Sequence, residues 1–138
     1  MRFMIIVKGN AESEAGVPPD PKLMSVMVDY HEELAKAGVL LDASGLQPTS
    51  KGARIKFSGG RRTWVDGPFA ESKEIIAGYT LIQVKSREEG VEWAKRFPAP
   101  FGDDQECEIE IRQLFELDDF APSEAVERFR ELGVASER

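Results

Sequence analysis

Histidine is the residue type whose ordinary pKa lies nearest to neutrality, and the chain has one, His31. At about 100° per residue, His31 falls at the margin of the apolar stripe of a predicted helix. A general base at that position could be oriented by a carboxylate, either Asp42 or Asp66. The alternative is a boundary histidine that binds water or a backbone carbonyl. His31, Asp42 and Asp66 are therefore the predicted catalytic residues.

A charged turn segment at residues 66–74 is the second place where chemistry could occur. A glycine–proline step forces a change of direction there, and carboxylates, a hydroxyl and Lys73 crowd beside it. Asp66 could line a cleft, or it could fix the turn through an Asx-type bond to the following backbone. Lys73 could hold a substrate carboxylate, or it could be a solvated lysine paired with a neighbouring glutamate. The predicted ligand-binding residues are Arg54, Phe69, Ser72 and Lys73.

Other common kinds of site are not supported by the sequence. One cysteine and one histidine cannot make an ordinary zinc site, and the acidic run at residues 103–108 lacks the calcium-loop pattern. Cys107 lies between two glutamates, a setting that disfavours a nucleophilic thiolate. Ser72 has neither a nearby histidine nor a nucleophile elbow, and the glycine patterns of phosphate and dinucleotide loops are absent. We therefore expect no metal and no cofactor.

The overall charge argues against a nucleic-acid partner. The formal charge is −7 and the pI is about 4.8, so a phosphate backbone would be repelled unless a basic face outweighed the total. Basic residues do cluster on a predicted hairpin, but strand alternation divides them between two faces. We interpret them as charges that protect an edge hairpin from aggregation. They are Lys51, Arg54, Lys56, Arg61 and Arg62.

Length and composition indicate one soluble domain. A chain of 138 residues can bury a single core, and a lone cysteine suits a reducing cytoplasm. No apolar run approaches the ~20 residues that span a bilayer, and the apolar block at the N-terminus is too short for a signal peptide. We expect a cytoplasmic protein with no membrane partner.

The first half of the chain predicts two strands and a helix that would position His31. Residues 2–8 are apolar on both faces, as in a central strand. After a loop rich in glycine and proline, Asp20 and Pro21 supply an N-cap and a first helical residue. Apolar residues then recur at spacings of three and four up to Gly38, which ends the helix. Residues 39–46 alternate as the second strand.

The second half predicts a hairpin, two strands and two helices, each with its own local signals. The hairpin has a glycine turn, the next helix opens on a capping box and stops at a proline, and the last strand has one wet face. The elements are the hairpin over residues 53–65, a strand over 76–85, a helix from Ser86 to Pro98, a strand over 106–117 and a short amphipathic helix over 123–132.

This order of elements predicts an α+β protein with a ferredoxin-like βαββαβ core, an inserted β-hairpin and a C-terminal helix. Its antiparallel sheet would carry both main helices on one face. The other face needs cover, and a second copy of the same sheet is the most economical cover, which gives a dimeric α/β barrel-like sandwich. We expect a homodimer, with a domain over residues 1–117 and an amphipathic extension over 118–138.

Four ordered motifs stand out along the predicted domain: EELAKAGVL at residues 32–40, GLQP at 45–48, VDGPFAESKE at 65–74 and IAGY at 76–79. With the closing region at 94–98, they resemble the YCII-related family in its DGPF-domain branch. The likeness covers roughly residues 1–117. It implies a dimeric sandwich of ferredoxin-like units.

The resemblance also implies where chemistry would occur. In the wider superfamily, a histidine and an aspartate beside a cleft are the suspected catalytic pair, and here the histidine can only be His31. A few relatives act on chlorinated or hydroxylated aromatic breakdown products. Others are found beside extracytoplasmic-function sigma factors.

Two functions from different classes follow as hypotheses. The first is that the chain binds, and could turn over, a small organic acid without a cofactor. His31 would move the proton, and Asp42 or Asp66 would orient the imidazole. Lys73 or Arg54 would hold an anionic group of the ligand. The second is a non-catalytic accessory or regulatory module that binds a metabolite or a protein such as a sigma factor, with the terminal helix as its contact. A His31 that lies more than about 4 Å from any carboxylate and is buried against apolar groups would favour the second.

Overall fold

The computed structural model describes residues 1–70 and 74–138. Its regular elements follow the predicted order, with one short helix added near the start. They are β1 (Arg2–Lys8), α1 (Ala11–Glu14), α2 (Pro21–Lys36), β2 (Leu40–Gly45), β3 (Ala53–Ser58), β4 (Arg61–Asp66), β5 (Ile76–Gln83), α3 (Arg87–Lys95), β6 (Ile109–Gln113) and α4 (Glu124–Leu132), with 3-10 turns at Thr49–Lys51 and Leu117–Asp119.

The main sheet is antiparallel with strand order β2-β5-β1-β6, which confirms the ferredoxin-like α+β fold. In its centre Ile5 of β1 lies opposite Thr80 of β5 and Ile111 of β6. The β3–β4 hairpin forms a separate two-stranded sheet. Its two strands pair only with each other among the described residues, as expected of a hairpin inserted between the core strands.

Local sequence signals explain where the helices begin and end. The Asp20 side chain accepts a hydrogen bond of 2.8 Å from the backbone N–H of Leu23 and so caps α2, as predicted. Gly38, just beyond the helix, has a φ of +74°, a conformation that glycine adopts without strain. The hydroxyl of Ser86 accepts from the N–H of Glu89 and caps α3.

Helix α1 falls in a stretch that the sequence predicts to be an irregular loop. It is one turn long and is held by reciprocal capping, because Asn10 accepts from the N–H of Ser13 and the Ser13 hydroxyl accepts from the N–H of Asn10, each at 2.9 Å. A helix of four residues is too short to show an apolar period, which is why the pattern did not reveal it.

The core lies between the sheet and helices α2 and α3. Burying one such aliphatic side chain stabilises the fold by about 1.5–3 kcal/mol. The sheet therefore has one face covered by helices, while in β1 the alternate side chains face the other way. The buried core residues are Phe3, Ile5, Tyr30, Leu34, Val39, Ile82, Val84 and Ala94.

Within the described residues, every helix is too short or too polar to cross a bilayer.

A buried tyrosine joins α2 to α3. The hydroxyl of Tyr30 donates a 2.7 Å hydrogen bond to the carbonyl oxygen of Trp93. Burial raises the pKa of Tyr30 to about 12, an effect that the nearby Arg96 opposes and Glu33 reinforces.

This tyrosine predicts a loss of stability at high pH. Below pH 10.0, the pKa of Tyr30 in the unfolded chain, the folded and unfolded chains both keep the phenol proton, and the free energy of unfolding has its full value. Above that pH the unfolded chain loses the proton before the folded chain does, and this favours unfolding. The free energy of unfolding should then fall by roughly 3 kcal/mol as pH rises through the folded pKa. Urea denaturation at pH 9 and 11.5 should show a smaller fall for Tyr30→Phe than for the wild type. If the free energy of unfolding fell equally in the two proteins, the raised pKa of Tyr30 would be contradicted.

Candidate functional site

A cleft of about 960 Å³ opens between α2, the β2–β5 side of the sheet and the loop that follows α3. Most of its lining is apolar, contributed by residues such as Leu23, Met27, Leu46, Phe97 and Phe101. Concave, mainly apolar spaces of this size with a few converging polar groups are typical of small-molecule sites.

His31 and Thr80 form a polar pair in the lining of this cleft. His31 Nδ1 lies 2.7 Å from the Met27 carbonyl oxygen, and Nε2 lies 2.8 Å from Thr80 Oγ1. A carbonyl oxygen can only accept, so in neutral His31 the proton sits on Nδ1, and Nε2 accepts from the Thr80 hydroxyl. The rings of Tyr30 and Phe97 flank the imidazole nearly at right angles, at centroid distances of 5.4 and 6.1 Å. The imidazole is thus held in one orientation, with its basic nitrogen, Nε2, hydrogen-bonded to the Thr80 hydroxyl.

Asp42 does not orient His31. Thr80, which contacts His31, pairs with Ala43 of β2, so these two side chains lie on the same face of the sheet. Asp42 is adjacent to Ala43 in the strand, and the Asp42 side chain therefore lies on the opposite face. There its carboxylate accepts from the Tyr79 hydroxyl at 3.0 Å and from the Ala43 N–H. The hydrogen bond that the sequence suggested between these two residues is therefore not formed.

Asp66 is also not brought to His31. It ends β4, opposite Ala53 of the hairpin, and its carboxylate accepts a 2.7 Å hydrogen bond from the indole N–H of Trp64. This contact replaces the predicted Asx-type bond to the following backbone. Both ring nitrogens of His31 are engaged by Met27 and Thr80, so no carboxylate of residues 1–70 or 74–138 holds the imidazole.

The charged turn segment at residues 66–74 is the signature loop, and its start is anchored by a threonine that sequence analysis missed. The N–H of Phe69 donates to Thr49 Oγ1 at 3.0 Å, while the N–H and hydroxyl of Thr49 both donate to the Glu14 carboxylate. The N–H of Gly67 donates to the Gly52 carbonyl. These bonds tie the loop to α1, beside the cleft. Nothing in the spacing of Thr49 and Glu14 signals the contact, because 35 residues separate them.

The predicted ligand-binding residues are only partly brought together. The guanidinium of Arg54 stacks 3.8 Å from the centre of the Phe69 ring. This pair belongs to the hairpin and the signature loop, and neither residue lines the cleft among the described residues. Ser72 and Lys73 lie outside the described residues.

The charges on the cleft are acidic. Glu12 and Asp20 are the charged side chains of the described lining, which contains no lysine or arginine. Glu12 accepts a 2.8 Å hydrogen bond from Gln105, and Asp20 is occupied as the cap of α2. A negative potential of this kind favours a neutral or cationic guest over a carboxylate. The described residues also include no group of three or more histidines, cysteines or carboxylates placed to hold a metal ion.

The fold and the cleft define a class of protein: a ferredoxin-like α+β domain with a largely apolar pocket between its sheet and one helix. The chain belongs to the YCII-related family, because the YCII-related domain model matches residues 1–117. The DGPF branch suggested by the signature loop is compatible with that match.

A similar protein is known from Rhizobium meliloti (strain 1021), where it is described as uncharacterised. The two are 33% identical over 76 residues, which cover 55% of this chain and 61% of the relative. The chain thus matches less than two thirds of the length of that protein.

Proposed function

We propose that the chain binds a small, mainly apolar organic molecule in the cleft, with His31 and Thr80 as its polar anchor. The observation that carries this proposal is the position of the His31–Thr80 hydrogen bond in an otherwise largely apolar lining. A ligand hydroxyl could donate to Nε2 in place of Thr80, and the freed Thr80 hydroxyl could donate to a ligand oxygen. An aromatic body would then pack on the methionine and phenylalanine side chains.

Proton transfer at His31 is the catalytic extension of this proposal. A ligand O–H or acidic C–H placed at Nε2 would pass its proton to the imidazole, and the ring would become an imidazolium. The Met27 carbonyl would keep its bond to Nδ1–H and would hold the ring in place. This chemistry needs no cofactor, but the part of the chain that the structure describes places no carboxylate where it would stabilise the imidazolium.

The acidic lining favours a hydroxyl-bearing or carbonyl-bearing neutral molecule over the organic acid suggested by the sequence. Glu12 and Asp20 would repel a carboxylate in the cleft. Arg54 is stacked on Phe69 outside the described lining. Binding of an organic acid would thus depend on Lys73, which the sequence places on the signature loop.

A non-catalytic accessory role is the second candidate, and one observation favours it. His31 is satisfied by a backbone carbonyl and a threonine hydroxyl, the arrangement expected of a histidine that recognises a ligand without turning it over. Such a module could sense a metabolite. Helix α4, which exposes Phe129 and Leu132, could then contact a protein such as a sigma factor.

We also propose that the chain forms a homodimer through the sheet face that the helices leave uncovered. Two cross-strand pairs lie on that face, Met4 with Leu81 and Ile6 with Tyr79. Ile6 is already buried in the single chain, whereas Met4, Tyr79 and Leu81 are partly exposed. A second copy of the same sheet could cover them, as in aligned sheet packing.

The proposal predicts that binding of a neutral phenol depends on His31. The His31 ring protons can be followed by NMR while phenols or benzoates are added. Their resonances and their pH titration curve should shift, and phenols should bind more tightly than benzoates. His31→Asn should weaken phenol binding at least about tenfold, because the ligand loses its hydrogen-bond partner. Asp42→Asn is the matched control, since Asp42 lies on the other face of the sheet.

Two outcomes would contradict the binding proposal. One is an unchanged His31 spectrum with every compound of the panel. The other is equal phenol affinity in His31→Asn and the wild type. Binding without any change in the ligand during prolonged incubation would favour the accessory role over turnover.

A further inference from the structure

The β3–β4 hairpin presents an apolar face to solvent. Ile55 lies opposite Trp64, and Phe57 lies opposite Arg62, so these side chains share one face. Phe57 is 69% exposed and Trp64 is 64% exposed. An isolated two-stranded hairpin is marginally stable in water, so a partner surface over these aromatic residues would stabilise it.

The opposite face of the hairpin is already engaged. Arg54, which alternates with Ile55 along β3, stacks its guanidinium on Phe69 of the signature loop. On the apolar face, the Arg62 guanidinium lies 5.0 Å from the centre of the Phe57 ring. The face that carries Phe57 and Trp64 is therefore the one available for docking, and Arg62 adds a positive charge to it.

The charge of the hairpin differs sharply from that of the rest of the chain. Five lysines and arginines and one aspartate give residues 51–66 a charge of +4, which leaves −11 on the remainder of a chain whose net charge is −7. A surface of this chemistry could meet nucleic acid, an anionic membrane or an acidic protein. The strongly negative body opposes approach to the first two. A second copy repels the first through its net charge as well, but carboxylates close to the docked hairpin would attract it at short range.

The rim of the cleft offers a complementary surface. Val17, Met24 and Val28 are large apolar side chains in the cleft lining, and each is about half exposed. The acidic Glu12 and Asp20 lie in the same lining. Exposed apolar residues beside carboxylates match the exposed aromatic residues beside Arg62 on the hairpin.

We propose that the apolar, basic face of the hairpin docks on the cleft rim of a second copy of this chain. The aromatic residues would cover the exposed valines and Met24, and Arg62 would approach the acidic rim. Such docking would enclose a molecule bound beside His31. The docking surface does not depend on chemistry at His31. The two proposals can be tested separately, because self-association measures the interface and the NMR spectrum of the imidazole measures ligand binding.

Sedimentation velocity of the full chain at low salt tests this interface. Phe57→Ser and Met24→Gln should each weaken dimerisation at least about tenfold, because each removes an apolar contact from the centre of the interface. Phe115→Ser is the control matched to Phe57→Ser, because Phe115 is 71% exposed and lies outside the hairpin and the cleft lining. The wild-type dimer should also weaken as salt rises from about 50 to 500 mM.

Several results would overturn the proposal. These are a wild-type chain that stays monomeric at high micromolar concentration, a Phe57→Ser variant that dimerises as well as Phe115→Ser, and an undiminished dimer in Met24→Gln. A dimer lost in Leu81→Arg but kept in both rim and hairpin variants would assign pairing to the sheet face alone. Binding to single-stranded RNA or to phosphatidylglycerol vesicles that is lost in Phe57→Ser would assign the hairpin to those surfaces.

Discussion

Replacement of Gly67 by alanine should lower the free energy of unfolding by at least about 3 kcal/mol. A Cβ atom at this position would lie 1.8 Å from the backbone carbonyl oxygen of Thr49 and 2.6 Å from its carbonyl carbon. Neither atom belongs to a side chain that can swing away. The loop must move, and that movement would break the bonds by which Thr49 holds Phe69 and Glu14. Urea denaturation monitored by circular dichroism measures the loss.

Gly52→Ala provides the matched control in the same loop. The nearest atom to a Cβ there is 3.7 Å away, an ordinary contact, and Gly52 has an extended backbone with a φ of −126°. Its stability should change by less than about 1 kcal/mol. If Gly67→Ala were as stable as Gly52→Ala, the close approach of Gly67 to Thr49 would be contradicted. The comparison also tests why the signature carries a glycine, independently of any ligand.

The fold could be predicted because its signals are local. The cap at Asp20, the left-handed turn at Gly38 and the cap at Ser86 each lie within a few residues of the helix that they bound. The two positive φ angles at Gly59 and Gly60 likewise close the hairpin with two residues, as the glycine turn indicated. Strand ends were less well predicted, since pairing with neighbours decides them.

The position of Asp42 shows why the site was harder to predict than the fold. Sequence reasoning paired Asp42 with His31 because a short turn separates their elements. A strand sends successive side chains to opposite faces, however, so proximity along the chain gave Asp42 no access to the helix side. The register shift between Leu40 and Asp42 in β2 also alters the alternation that the sequence suggests for this strand.

Contacts between distant segments were invisible to the sequence. Thr80 reaches His31 across 49 positions, and Thr49 reaches Glu14 across 35. A threonine in a strand or a loop has many ordinary roles, so its type carries no signal for a particular partner. The acidic character of the cleft depends likewise on which loops converge there. Chemistry inferred from residue types alone therefore favoured an organic acid, whereas the described lining favours a neutral guest.

Substitution of Glu116 by glutamine should lower the free energy of unfolding by about 2–3 kcal/mol. Arg2 is a buried charge, and its Nε donates to both oxygens of Glu116 at 2.8 and 3.2 Å while its Nη2 donates to the Phe115 carbonyl. Removal of one partner from a buried pair is costly because it leaves the other charge uncompensated. The amide keeps the shape of the carboxylate and one acceptor oxygen, so the expected loss stays at the lower end of the range for broken buried pairs. Urea denaturation at neutral pH measures it.

Glu127→Gln separates the effect of burial from that of charge removal. Glu127 pairs with Arg130 at 3.4 Å on the exposed surface of α4, where water screens the interaction, so the expected change is below about 0.5 kcal/mol. Added salt should reduce even that small change and leave most of the Glu116→Gln loss in place. Equal effects of the two substitutions would show that Arg2 is hydrated in solution. A large difference would mean that the pair fastens β1 to the chain beyond β6, at the C-terminal limit of the family match.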